Sequence, residues 1–242
     1  MPASPVPAVE IDALHMRYGD TVAVDGLSMT VERGTITAVL GPNGAGKTTT
    51  LETCEGFRTP QKGTVRVLGL DPTRQRRDLL PRIGVMLQQG GAWSGVHAME
   101  MLRHVAAMHA HPLDVDALGE RLGLPSCGKT PYRRLSGGQQ QRLGLAMAVV
   151  GRPELVFVDE PTAGMDPQAR HITWDLLREL REAGVTIVLT THYIEEAERL
   201  ADQVHIIDRG RLVVSGTPSE LTDGGVRRLE DVFLDNTGRS LS

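Results

Sequence analysis

Two opening stretches alternate apolar and polar positions, Val9 to Tyr18 and Thr21 to Val31, and they predict two strands joined at the turn Gly19-Asp20. A third, Gly34 to Leu40, is β-branched and apolar along its length, the pattern of a strand covered on both faces. It runs straight into a glycine-rich segment, Gly41 to Thr48, and then into a helix expected to reach about Glu55. Gly63 to Gly69 and Arg82 to Leu87 predict further strands. Between 96 and 151 helical periodicity takes over, broken at Pro112, Pro125 and Pro131. From Glu154 the α/β pattern returns: a strand to Val158, a helix over 167–183 with Asp166 as N-cap and Pro167 in its first turn, a strand from Val185 to Thr190, a helix over 193–201, and a hairpin from Val204 to Ser215 turning at Arg209-Gly210. Strands alternating with helices predict an α/β fold with a mostly parallel sheet, an antiparallel β layer at the front and an inserted helical subdomain over about 90–150. The expected organisation is one domain over 8–242 behind a Pro-rich tail, 1–7, taken as disordered.

Composition narrows the function classes. With 242 residues, 40% hydrophobic and 23% charged, the chain can bury a full core. Its formal charge of -4 comes without the basic stripe that a phosphate-backbone binder needs, so nucleic acid is not expected as a partner. No apolar run reaches the ~20 residues of a membrane span, and the N-terminal residues lack the charged and apolar regions of a secretory signal; a cytoplasmic protein is expected. The two cysteines, Cys54 and Cys127, form no CxxC pair and read as reduced bystanders. Glycine is frequent, 27 residues, without a collagen period, which directs attention to glycine loops.

Gly41-Pro42-Asn43-Gly44-Ala45-Gly46-Lys47-Thr48 matches GxxxxGK[ST]. Its glycines let successive backbone N–H groups turn inward around a phosphate, and the helix that follows, with Thr49 in its first turn, adds its N-terminal dipole. Lys47 is expected on the β- and γ-phosphates and Thr48 on Mg²⁺, in the strand–loop–helix context of a P-loop NTPase. The apolar strand Leu155 to Val158 ends in Asp159 and Glu160, placing one acid near a metal and the other where it can hold an attacking water. In Leu135-Ser-Gly-Gly-Gln-Gln-Gln-Arg-Leu143, residues Ser136, Gly137 and Gly138 read as a helix N-terminus with free amides, a second anion site, with Gln139 beside it; an ordinary N-cap is the bland alternative. His97, His104 and His111 recur every seven residues, but seven residues of helix advance about 10.5 Å, too far for one ion to bridge. A polar or partner-facing stripe is expected; its opposite side, Met101, Leu102, Val105 and Met108, fits a core face, although methionines also suit an adaptable binding surface.

On the phosphate loop and the LSGGQ stretch the chain resembles the ATP-binding cassette family, and the resemblance extends in order through Tyr18, Gln88, Asp166 in Ala-Gly-Met-Asp-Pro and His192 in Thr-Thr-His. It implies that Tyr18 stacks on adenine, that Gln88 senses Mg²⁺ and water, that Asp166 couples two sites and that His192 contacts the γ-phosphate. Gln88 is chosen over Gln89 by counting from Ile83-Gly84. It further implies an ATPase with ATP and Mg²⁺ as cofactors, dimerising with a second cassette copy so that the phosphate loop of one faces Ser136 of the other, and driving separate integral membrane subunits from the inner face of the cell membrane. Cys54-Glu-Gly-Phe-Arg58, Val67 to Pro72 and Leu229 to Gly238 resemble bacterial drug and lipid exporter cassettes. An importer cassette, or a soluble cassette acting on ribosome or nucleic acid, shares the core motifs; a P-loop kinase would leave LSGGQ without a reason.

Overall fold

The computed structural model describes residues 6–87 and 91–238. In chain order the elements are β1 (Val9–Tyr18), β2 (Thr21–Val31), β3 (Ile36–Leu40), α1 (Lys47–Cys54), β4 (Lys62–Val67), α2 (Arg76–Leu79), β5 (Ile83–Met86), α3 (Ala98–Ala106), α4 (Val115–Arg121), α5 (Gly137–Val149), β6 (Leu155–Asp159), α6 (Pro167–Glu182), β7 (Thr186–Thr191), α7 (Ile194–Leu200), β8 (Gln203–Asp208), β9 (Arg211–Gly216), α8 (Pro218–Leu221) and α9 (Leu229–Thr237). The expected strands and helices are present within a residue or two of their predicted ends. Residues 1–5 of the expected tail and the pair Gln88-Gln89 lie outside the described residues.

The strands form two sheets. A six-stranded sheet runs β5-β6-β7-β3-β8-β9, parallel except for the antiparallel edge β9, and a three-stranded antiparallel sheet runs β2-β1-β4. Buried on both faces, β3, β6 and β7 divide their side chains by the two-residue period. Ile36, Ala38, Leu40, Val156, Val158, Ile187 and Leu189 join the helix-side core with Trp174 of α6 and Leu143 of α5. Val39, Leu155, Phe157 and Val188 face the other way, toward Leu51 of α1 and the antiparallel sheet. This two-sided burial is why those strands read as unbroken apolar runs. Helices α3, α4 and α5 lie between β5 and β6 in the chain.

One polar group is set between the sheets. His205 of β8 is 3% exposed and its Nε2 lies 3.1 Å from the Thr30 carbonyl of β2, to which it donates. Burial lowers its pKa below the ordinary histidine value, against the bond to Thr30. The unfolded chain takes up this proton more readily as pH falls, so stability is lost on acidification. Between about pH 7 and about pH 5 the wild-type Tm should therefore fall more steeply than that of His205→Gln. Parallel curves in scanning calorimetry would contradict it.

Candidate functional site

The phosphate loop has the shape its glycines require. A Cβ at Gly41 would collide with the Ile207 carbonyl, and one at Gly46 with the Ala23 carbonyl, where Gly46 also holds φ at +103°. Pro42 and Ala45 are buried, Asn43, Gly44 and Thr48 are exposed, and Thr49 is intermediate. Lys47 starts α1, 7% exposed, and its Nζ donates to the carbonyls of Gly41 at 2.6 Å and Pro42 at 3.2 Å. Burial lowers its pKa, while the carboxylates of Glu160 and Asp159 work to raise it. The ammonium is thus held at the loop with two acids facing it.

Those acids end β6, whose neighbours β5 and β7 carry them to the carboxyl edge of the sheet, where ligands bind in open α/β folds. Thr48 Oγ1 donates to Asp159 Oδ2 at 3.3 Å, and Thr190 Oγ1 donates to Asp159 Oδ1. Burial pushes the Asp159 pKa up, partly offset by the Thr190 bond. A hydroxyl and a buried carboxylate converging in this way form a hard-oxygen donor set that fits a small divalent cation sharing phosphate oxygens. Glu160 comes next, at φ +50°, a left-handed conformation that costs a residue with a side chain about 1–3 kcal/mol. Its N–H donates to the Thr190 carbonyl at 3.0 Å, and its Oε1 lies 3.2 Å from His192 Nδ1, just past β7. Lys47, Thr48, Asp159, Glu160 and His192 are therefore one cluster.

The remaining sites from the sequence stand outside it. Tyr18 ends β1, 41% exposed, with the Arg58 guanidinium 5.1 Å from its ring centroid and Arg58 Nε donating to Glu52 Oε2 at 2.7 Å. Ser136 caps α5: its Oγ accepts from Gln139 N at 3.2 Å and the Gln139 Oε1 accepts from Ser136 N at 2.9 Å. The expected free amides are thus corrected in part, because Gln139 N and Ser136 N are taken by this capping box. Ser136 and Gly137 are nonetheless exposed, while Gly138 packs so closely on Gly164 that a Cβ would lie 3.2 Å from its carbonyl oxygen. Asp166 caps α6 through Ala169 N at 3.0 Å, a bond that lowers its pKa. The seven-residue histidine series does not share a helix: His97 caps α3, His104 sits in it, and His111 lies beyond its end. No metal-binding group of three or more His, Cys, Asp or Glu occurs among the described residues. Of the residues opposite the histidines, Met101 and Leu102 are buried, while Met108 is 68% exposed because α3 ends at Ala106 and releases it from the buried face. Cys54 and Cys127 are buried and free.

Two residues of the site were missed in the sequence. Thr190 is one of three buried threonines in β7; a buried hydroxyl must hydrogen-bond something, but nothing local singles out Thr190 or its partner Asp159. Glu55, 4% exposed, has its carboxyl pushed up to about 8 by burial and by Asp159 and Glu52, and no spacing rule marks it.

Comparison with known proteins agrees with this geometry. The ABC transporter family model matches residues 24–163. A daunorubicin resistance ATP-binding protein, DrrA3, from Streptomyces coeruleorubidus is 39% identical, over 96% of this chain and 75% of that protein. A Nod factor export ATP-binding protein I from Burkholderia lata is 40% identical, over 92% of this chain and 75% of that protein. The ATP-binding subunit of an ABC transporter superposes with a TM-score of 0.83 at 24% identity, covering 94% of this chain and 98% of that one. The cassette MJ0796, solved as a post-hydrolysis dimer with ADP and Pi, gives 0.77 at 21% identity, over 86% and 98%. With a phosphate loop, paired acids at a strand end and relatives of this identity, the chain belongs to the ABC transporter family and is one of its ATP-binding, ATP-hydrolysing cassettes.

Proposed function

We propose that the chain is the ATPase subunit of an exporter, working as a dimer around two MgATP and driving separate membrane subunits from the inner face of the membrane. The observation that carries the hydrolytic part is the single cluster of Lys47, Thr48, Asp159, Glu160 and His192. In this reading Gly41 to Thr49 wrap the phosphates, Tyr18 stacks on the adenine, and Thr48 and Asp159, with Gln88, hold Mg²⁺, which supplies neutralising charge on the phosphates. Glu160 accepts a proton from the attacking water and His192 steadies the γ-phosphate. Ser136, Gly137, Gly138 and Gln139 complete the site of the opposite copy, with Asp166 between the two sites. The exposure of Ser136 and Gly137 supports a role for that end of α5 outside its own chain. One cassette domain over 8–242 with a helical subdomain over about 90–150 is part of the same proposal.

The exporter assignment draws on the drug-resistance and Nod factor export relatives. No helix among the described residues is long and apolar enough to cross a membrane. A groove of about 670 Å³ between β5 and α5, lined by Phe57, Leu87, Tyr132 and Met147, supports docking at the helical segment. Exposed Trp93, in ring contact with His104 at 4.7 Å, and Met108 extend the apolar surface there. A cysteine placed at the exposed His104 should crosslink to an integral membrane protein in native membranes, with little background because Cys54 and Cys127 are buried. Crosslinks arising only from a cysteine at Asp12, on the antiparallel sheet, would overturn the docking face.

A further inference from the structure

Glu196 belongs to none of the groups above, yet it lies between the two loops that carry the hydrolytic pair. It is the third residue of α7, four positions after His192, and is fully buried. One oxygen, Oε1, accepts from Thr162 Oγ1 at 3.0 Å and from the Trp174 indole Nε1 at 2.9 Å. Thr162, also fully buried, sits two residues after Glu160 in the turn that leads to Asp166; within that turn Ala163 N donates to the Glu160 carbonyl at 3.2 Å and Met165 N to the Thr162 carbonyl at 3.1 Å. Trp174 is the buried anchor of α6. Further ties run alongside, with Thr173 Oγ1 donating to Met165 Sδ at 3.4 Å and the Arg170 guanidinium 4.8 Å from the Tyr193 ring centroid.

Burying a carboxyl is expensive, and an apolar side chain would fill this space at less cost. What a carboxyl adds is direction: a fixed acceptor for two donors from two elements. That matters here because Glu160 occupies an unfavourable left-handed backbone conformation. Such a conformation persists only where its surroundings over-determine it. Thr190 holds it from the β7 side through the bond to Glu160 N. On the other side the Thr162 side chain ties the turn to helix α7 through Glu196.

We infer that Glu196 is a positioning residue for ATP hydrolysis: by holding Thr162 it fixes the turn that aims Glu160, and by riding on the helix after His192 it keeps both partners of the Glu160–His192 pair in one rigid unit. The inference rests on the reading of Glu160 as the group that activates water.

The test exchanges the two halves of the Thr162 side chain. Thr162→Val keeps the shape and removes the hydroxyl; Thr162→Ser keeps the hydroxyl and removes the methyl. Thr162→Val should lower kcat about tenfold with the ATP KM within about twofold, since misaiming a catalytic group leaves substrate binding intact. Thr162→Ser, and Glu196→Gln whose amide oxygen still accepts both bonds, should stay within about threefold of wild type. Glu196→Leu should fall as far as Thr162→Val, and combining the two should add little, as expected of residues acting through one contact. If Glu196→Leu does not fold, the Val and Ser variants decide alone. A purely structural role would lower Tm, leave kcat unchanged in Thr162→Val and harm Thr162→Ser more. Wild-type kcat in Thr162→Val, or Ser as slow as Val, overturns the inference. Should Glu160→Gln also retain turnover, the reading of Glu160 fails; if Glu160→Gln is inactive while Thr162→Val is not, only the role of Glu196 fails.

Discussion

Glu160→Gln is expected to bind ATP normally and lose hydrolysis by about 10²–10⁴-fold, the range that a positioned general base contributes. The substitution is nearly isosteric, and Glu160 is tied to Thr190 and Ala163 through its own main-chain atoms, its N–H donating to the Thr190 carbonyl and its carbonyl accepting from Ala163 N, so these bonds survive the exchange. The phosphate loop, with Lys47 buried and Thr48 against Asp159, is untouched. What disappears is the carboxylate that can take a proton; the amide oxygen can still accept from His192 Nδ1, which lies 3.2 Å from Oε1. Bound ATP should then hold two copies together, so the variant should elute as a dimer in MgATP and as a monomer without nucleotide. Wild-type turnover by the purified variant would remove Glu160 from the chemistry.

Much of this site was legible because its signals are local. A glycine loop between a strand and a helix, and acids ending an apolar strand, keep their meaning wherever the strands fall in the sheet. The parallel order was legible as a class, since β3, β6 and β7 are apolar on both faces and alternate with helices. Nothing local foretold that β4 would pair with β1 while β5 joined the other sheet, because both are short and bounded alike. Gln139 shows the opposite limit: its motif position drew attention to anion binding, while within its own chain the side chain serves a capping box. Core and surface stayed open for Met108 because the periodicity gave no stop signal at Ala106. Glu55, Thr190 and Glu196 gain their importance from neighbours more than 30 positions away in the cases of Thr190 and Glu196, and from Asp159 in the case of Glu55. Single-sequence reading has no access to such pairings.

In the proposed dimer each ATP site is built from two chains, with the phosphate loop of one copy opposite Ser136 of the other. Within one chain Ser136 and Gly137 are exposed at the start of α5, and among the described residues no hydrogen bond or ion pair ties them to the Lys47–Asp159–Glu160 cluster. Lys47→Ala removes the buried ammonium proposed to serve the phosphates, and Ser136→Arg places a bulky cation on the proposed opposing face. Each variant alone puts damage into both sites of its dimer, and neither should trap nucleotide. In a mixed dimer the intact phosphate loop of the Ser136→Arg chain meets the intact Ser136 of the Lys47→Ala chain, and both lesions fall in the other site. Differently tagged variants, mixed and purified through both tags with a labelled non-hydrolysable ATP analogue, measure this directly. The account predicts that the mixture traps one analogue per mixed dimer where each variant alone traps none; mixed dimers that form and trap none would mean that the sites are not shared between chains.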